Sequence, residues 1–224
     1  MKRETLKSIM RFLLRHLTRL EFVGVEHIPT TGPLLVATNH LSRVDIPVLF
    51  VVPVREDLTA LVADKYKRYP LFRWFTNTAE GIWLDRTKAD FSAFKASFDL
   101  LKQGRALGIS PEGTRSETGQ LLEGKSGTVL LASKAGAPVV PVAITGTEDA
   151  IKKLLRFQRP KITARFGPAL TIPPLDRDRR DEQMLAYTTE IMCRLAALLP
   201  ESYRGYYRDY PRVMELRREW GLEG

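Results

Sequence analysis

The chain has 224 residues, 44% of them apolar and 27% charged, with 35 Lys/Arg against 26 Asp/Glu, three His and one Cys. That length and balance suit one globular domain with a sizeable core, while the lone Cys193 excludes an internal disulfide and fits a reducing compartment. The net charge of +9 points to anionic partners such as nucleic acid, anionic lipid or phosphorylated substrates, without choosing among them.

Residues 1–20 hold six Lys/Arg and one Glu. Leu6, Ile9, Met10, Leu13, Leu14, Leu17 and Leu20 fall within an arc of roughly 140° on a helical wheel. Arg3, Lys7, Arg11, Arg15 and Arg19 sweep the other side, and Phe12 is the one misfit. The spacing predicts a basic amphipathic helix that lies in the headgroup layer of an anionic membrane, cations over phosphates, or docks its stripe on the domain core. Arginines interrupt the apolar positions throughout, so no signal peptide is read here. No run in the chain approaches the roughly 18–20 apolar residues of a membrane span.

Strand and helix signals then alternate. Residues 21–25 and 34–38 read as strands, the second a continuous apolar run between Pro33 and Asn39. Residues 43–52 read as a helix, 58–63 as a strand, 65–75 as a helix with an awkward Pro70, and 81–84 as a short strand. The stretch 89–103 is a helix with Phe91, Phe94, Phe98 and Leu101 at helical spacing, ended by Gly104. Strands follow at 106–110 and 139–144, with a helix at about 126–135 between them. Another strand is read at 162–166, and a long helix at 180–199 carries Cys193 in its core face. The Tyr- and Arg-rich tail 201–224 gives no functional signal. This order predicts an α/β fold, helices packed on a largely parallel sheet. No repeat or linker divides it, so we read residues 1–20 as the amphipathic helix and 21–224 as one domain.

In an open α/β sheet, ligands gather beyond the carboxyl ends of the strands. His40 falls at such an end, and Asp45 lies in the first turn of the next helix, able to fold back on the imidazole. An imidazole takes a proton at neutral pH; a carboxylate on its far nitrogen fixes the tautomer and stabilises the imidazolium. No serine or cysteine nucleophile is needed if the substrate brings its own hydroxyl. The same spacing is close to a capping box, Ser42 with Asp45, which would leave His40 an ordinary loop residue.

The run Glu112-Gly113-Thr114-Arg115 also follows a strand. Gly113 lets the backbone approach a ligand, Thr114 offers a hydroxyl, and Arg115 a planar fork matched to phosphate oxygens. Arg86 and Lys125 can join them. Glu112 would orient Arg115 or contact a substrate hydroxyl. The other reading is a surface turn with a weak Glu–Arg pair. There is no glycine-rich nucleotide-phosphate loop, and the scattered His16, His27 and His40 give no metal site.

Together these stretches resemble the glycerolipid acyltransferase family, in particular the 1-acyl-sn-glycerol-3-phosphate (lysophosphatidate) acyltransferases. The family's Asn-His-x-Ser-x-x-Asp motif is complete at Asn39, His40, Ser42 and Asp45. Gly81 to Arg86 is similar to its second block, Pro111–Ser116 to its Pro-Glu-Gly-Thr-Arg-Ser run, Lys125-Ser126-Gly127 to a following Lys-x-Gly, and Val139-Val140-Pro141-Val142 to its fourth block. The resemblance implies a glycerol-3-phosphate acyltransferase-like fold. It also implies direct transfer of a fatty acyl group from acyl-CoA or acyl-carrier protein to the sn-2 hydroxyl of lysophosphatidic acid, giving phosphatidic acid. His40 and Asp45 would be catalytic; Arg86, Glu112, Gly113, Thr114, Arg115 and Lys125 would bind the acceptor; no cofactor, metal or nucleic acid is implied. The protein would sit peripherally (monotopically) on the cytoplasmic face of an anionic membrane through residues 1–20. Two departures stand out: many members have a membrane-spanning segment where this chain has a short basic helix, and Ser110 stands where a phenylalanine is common. The basic segment 151–180, with nine Lys/Arg and two Asp, would face headgroups, an acidic carrier or solvent. The rivals are an O-acyltransferase for glycerol 3-phosphate or a lyso-aminolipid, and a non-catalytic basic protein that binds anionic membranes or nucleic acid.

Overall fold

The apolar run Leu34–Thr38 is buried at every position because it lies in the middle of a sheet covered on both faces. The computed structural model describes residues 1–87 and 90–222. Its helices are α1 (Arg3–Leu17), α2 (Asp45–Phe50), α3 (Pro70–Thr78), α4 (Phe91–Lys102), α5 (Gly127–Ala135), α6 (Ala150–Leu155), α7 (Arg180–Leu198) and α8 (Pro211–Glu219). Its strands are β1 (Arg19–Val23), β2 (Leu34–Thr38), β3 (Thr59–Ala63), β4 (Ile82–Leu84), β5 (Ala106–Ile109), β6 (Val139–Thr145) and β7 (Lys161–Phe166). One seven-stranded sheet runs in the order β1-β7-β6-β2-β5-β3-β4. Every neighbouring pair is parallel except β6 with β7. The expected α/β architecture is what the chain adopts.

Two apolar layers sandwich this sheet. One packs Val48 and Leu49 of α2 and Ala150 of α6 on Val36, Val140, Val142 and Ile162. The other packs Leu101 of α4, Val129 and Ala132 of α5 and Ile191 of α7 on Leu35, Ala37, Leu107 and Val139. Helix α8 closes on α7, with Val213 and Leu216 against Leu195 and Ala196. At the edge opposite the site, buried Arg55 donates to the carbonyls of Pro29, Gly32 and Gly104 and to Asp57, tying three loops together.

Several elements depart from the sequence reading for local reasons. Pro70 does not interrupt a helix; it starts α3 at a first-turn position, where its missing N–H costs nothing, after a separate short 3-10 turn at Asp64–Arg68. In α4, Asp90 caps the N-terminus through Ala93 N–H at 2.9 Å, so the helix starts later than 89, a position outside the described residues. Two helices were not anticipated: α6 is only six residues long, and α8 lies in the polar tail, where three residues, Arg212, Glu215 and Glu219, pair along one side.

Helix α1 docks part of its apolar stripe on the domain core, with Leu6, Met10 and Leu14 against Phe50 and Val51, but not with its cations left in solvent. Leu6 and Leu14 are buried, but so is Lys7, at 2% exposure. Lys7 Nζ donates to Arg55 O at 2.9 Å and pairs with Glu56. Arg3 donates to the carbonyls of Glu56 and Leu58, and Arg11 to those of Val51 and Val52 and to Glu56. The segment after α2 presents bare carbonyls, and cations are the groups that satisfy them. The result is that three of the cations expected to face lipid turn inward, while Ile9, Phe12, Leu13 and Leu17 are exposed at 44%, 61%, 39% and 47%. Among the described residues no helix is long and apolar enough to cross a membrane.

Candidate active site

The carboxyl ends of β2 and β5 open on a cavity of about 170 Å³. Asn39, the first residue past β2, sets the edge: its side chain accepts Ile144 N–H at 2.7 Å and donates to Ile144 O at 2.8 Å, as a strand residue would. The chain therefore leaves the sheet at His40.

His40 Nδ1 lies 2.8 Å from Asp45 Oδ2. A carboxylate oxygen accepts, so Nδ1 carries the proton and Nε2 keeps its lone pair, on a ring that lines the cavity. Asp45, 2% exposed, is held by more than the ring. Its Oδ2 also accepts the N–H groups of Leu41 and Ser42, both at 2.8 Å. Its Oδ1 accepts Thr147 Oγ1–H at 2.5 Å. One carboxylate thus ties the amides of the loop before α2, Ser42 included as the capping-box spacing suggests, and also holds the imidazole. Thr147 escaped the sequence reading; its only signal is its place just past β6, at the same edge.

The loop after β5 grips the backbone of His40. Glu112 Oε1 accepts His40 N–H at 2.9 Å, and Ser116 N–H donates to His40 O at 3.0 Å. Glu112 Oε2 accepts Leu122 N–H at 2.9 Å. Both oxygens are committed and the residue is 2% exposed, so Glu112 neither orients Arg115 nor lines the cavity. Burial pushes its carboxyl up to about 7, against the lowering pull of the two N–H donors.

The expected anion-binding residues divide. Arg86, Gly113 and Lys125 line the cavity with His40 and Asp45. Gly113 adopts φ +70°, and a Cβ there would meet the Lys125 side chain at 3.0 Å, so glycine lets the lysine lie across the turn. That turn carries the chain away from the cavity. Thr114 and Arg115 are exposed, and Arg115 lines a separate groove with Ser42, Arg43, Glu148 and Lys152. Much of the remaining wall is apolar, including Ile46, Leu49, Ala60, Val62 and Leu84, with Thr38, Tyr66, Ser110 and Thr128 among its polar members. Ile46, Leu49, Ala60 and Val62 also line an adjoining apolar slot that runs to Phe50, Phe75 and Ala79.

No cluster of ligating side chains suited to a metal occurs among the described residues. Cys193 is fully buried, and burial pushes its thiol up to about 12, which makes it an inert core residue. The site thus sets an imidazole, its Nδ1 committed to a carboxylate, beside two cations.

Comparison with known proteins gives the chain relatives. Curated 1-acyl-sn-glycerol-3-phosphate acyltransferases are similar to the chain: one from Cocos nucifera is 31% identical over 172 residues, 74% of this chain and 54% of the relative. The alpha form from Mus musculus is 32% identical over 168 residues, 68% of this chain and 56% of the relative. The chain thus spans about half the length of these relatives. A crystal structure of the 1-acyl-sn-glycerophosphate (LPA) acyltransferase PlsC from Thermotoga maritima superposes with a TM-score of 0.64 at 24% identity, over 84% of this chain and 76% of that one, a likeness of fold. The acyltransferase family model matches residues 19–145, more than half of the chain. That span takes in β1 to β6, the His40–Asp45 pair and the loop that grips it, and the chain belongs to the acyltransferase family.

Proposed function

We propose that the protein transfers a fatty acyl group from the thioester of CoA or acyl-carrier protein to the sn-2 hydroxyl of lysophosphatidate, giving phosphatidic acid and the free thiol of the donor. The observation that carries this reading is His40, its Nδ1 committed to Asp45, in one cavity wall with Arg86 and Lys125. His40 Nε2 takes the proton of the acceptor hydroxyl as its oxygen bonds to the thioester carbonyl carbon. The C–S bond then breaks, and the imidazolium returns the proton to the departing thiolate. Asp45 stabilises the imidazolium between these steps. Arg86 and Lys125 hold the acceptor phosphate.

Membrane contact fits the exposed side of α1. Ile9, Phe12, Leu13 and Leu17 would enter the interface of a cytoplasmic-face bilayer, with Arg15 and Arg19 over anionic headgroups. Within the expected 1–20 segment it is α1, Arg3–Leu17, that acts in this reading as a monotopic contact helix, since Arg19 and Leu20 already belong to the sheet of the acyltransferase domain.

The direct test supplies the purified chain with labelled acyl-CoA and acyl-carrier protein against lysophosphatidate, glycerol 3-phosphate and a lyso-aminolipid, and identifies products by mass. The reading expects phosphatidic acid as the main product. Preferred acylation of either other acceptor would overturn the acceptor assignment, and no acyl transfer at all would favour a basic binding protein instead.

A further inference from the structure

Two hydroxyls in the wall of the His40 cavity have no partner among the described residues. Ser110 Oγ and Thr128 Oγ1 are sealed from solvent and unbonded, and both residues line the cavity. A buried hydroxyl left this way is destabilising, and nearly all such groups in folded proteins are paired. Two orphans in one wall therefore call for a third party.

Thr128, 2% exposed, is the second residue of α5. That helix begins without a side-chain cap, and Leu130 N–H, on Ser126 O, is its first amide to be used. The amides of Gly127 and Thr128 are thus the orphan donors of a helix start, where the helix dipole also favours negative charge. Both residues line the cavity. Ser110 reaches the same wall from the sheet, one residue beyond Ile109, which pairs with Ala37 of β2. Lys125 N–H donates to Pro111 O at 2.8 Å and holds the start of α5 beside it.

We infer that Thr128 Oγ1, Ser110 Oγ and the first amides of α5 cradle the thioester carbonyl oxygen of the acyl donor as it becomes an oxyanion. This rests on the acyl-transfer reading and names which groups of the site stabilise the developing charge. All four donors are neutral. They suit an oxygen that turns negative only while the acceptor attacks, whereas the permanent charge of a phosphate is matched by the cations Arg86 and Lys125. As the acceptor oxygen bonds to the carbonyl carbon and its proton passes to His40, the carbonyl pair moves onto the cradled oxygen; it returns as the C–S bond breaks and the thiolate takes that proton from His40. A phenylalanine at position 110 would bring no donor, so Ser110 adds to a cradle that Thr128 and the helix start already make.

Steady-state kinetics of the full chain with palmitoyl-CoA and lysophosphatidate test this, starting with the wild type. A wild type inactive with every thioester and acceptor refutes acyl transfer itself. With an active wild type, Thr128→Val should lower kcat about 100-fold and Ser110→Ala about tenfold, in the range found for single oxyanion donors and below. The KM for lysophosphatidate should stay within about twofold, and Thr128→Ser should restore most of the lost kcat. Wild-type kcat in both Thr128→Val and Ser110→Ala overturns the cradle, as does a raised acceptor KM at unchanged kcat, which would assign the hydroxyls to the phosphate. A loss in Thr128→Val that Thr128→Ser does not rescue also overturns it and marks a packing role. Should Thr128→Val fail to fold, Ser110→Ala decides by the same split of kcat against KM.

Discussion

The two walls of the cavity are finished by different means. On the His40 side, Asp45 alone takes hydrogen bonds from the imidazole, two backbone amides and Thr147. Glu112 and Ser116 hold the His40 backbone from both directions. On the α5 side, two buried hydroxyls and the first amides of a helix have no partner among the described residues. In the proposed reaction the first wall holds the proton acceptor at a defined atom before substrate arrives. The second wall would then be completed by the ligand whose transient charge it stabilises.

Removing the charge from the finished wall should do the most damage. Asp45→Asn presents an amide where imidazole and backbone donors need an acceptor, and it releases the tautomer. We expect kcat to fall about 10³- to 10⁴-fold, by analogy with the buried carboxylate of a catalytic triad. A loss under about tenfold, measured at saturating substrates, would mean that Asp45 serves only the start of α2.

The split of the cations comes next. Arg86→Ala should raise the KM for lysophosphatidate about tenfold, while Arg115→Ala, whose side chain lies in the other groove, should change it less than about threefold. The reverse order would move the phosphate to the Arg115 groove.

Glu112 gives a smaller effect with a defined sign. Its carboxyl titrates near 7 in the fold, above the ordinary 4.5. In that window the folded state binds the proton more tightly than the unfolded chain, so stability is greatest at the acid end and falls as pH rises through about 7. The whole difference is on the order of 3 kcal/mol. Urea unfolding of the wild type should give a lower midpoint at pH 8 than at pH 6, and Glu112→Gln should flatten that slope while losing one acceptor for a backbone N–H. A wild-type midpoint that rises over this range would contradict the assignment.

The outer face of α1 should touch the chemistry least. Phe12→Asp with Leu13→Asp should weaken binding to anionic vesicles by about tenfold or more, since each side chain carries about 1.5–3 kcal/mol of burial. Sedimentation with vesicles that shows no change would remove α1 from the membrane contact.

How much of this was legible in the sequence follows from how local each feature is. The pairing of His40 with Asp45 is written in a five-residue loop after an apolar run, and β2 to β6 alternate cleanly with α2 to α5. Thr147 could not be read, because it lies 102 residues from Asp45 in the chain and only the sheet brings them together. The placement of Arg115 turned on one dihedral: the left-handed backbone of Gly113 sends Thr114 and Arg115 out of the cavity. For α1 the wheel showed an apolar and a basic side, but the bare carbonyls at 51–58 decide which side docks. The unpartnered hydroxyls of Ser110 and Thr128 were the least legible, since lacking a partner is a property of the surroundings.

The most direct test of the account is the turnover of His40→Ala with acyl-CoA and lysophosphatidate, measured beside its binding of each substrate. We expect product formation to fall by at least about 10³-fold while both substrates still bind, because the proton acceptor is lost and the cavity remains. Turnover within about tenfold of wild type would contradict general-base catalysis by His40.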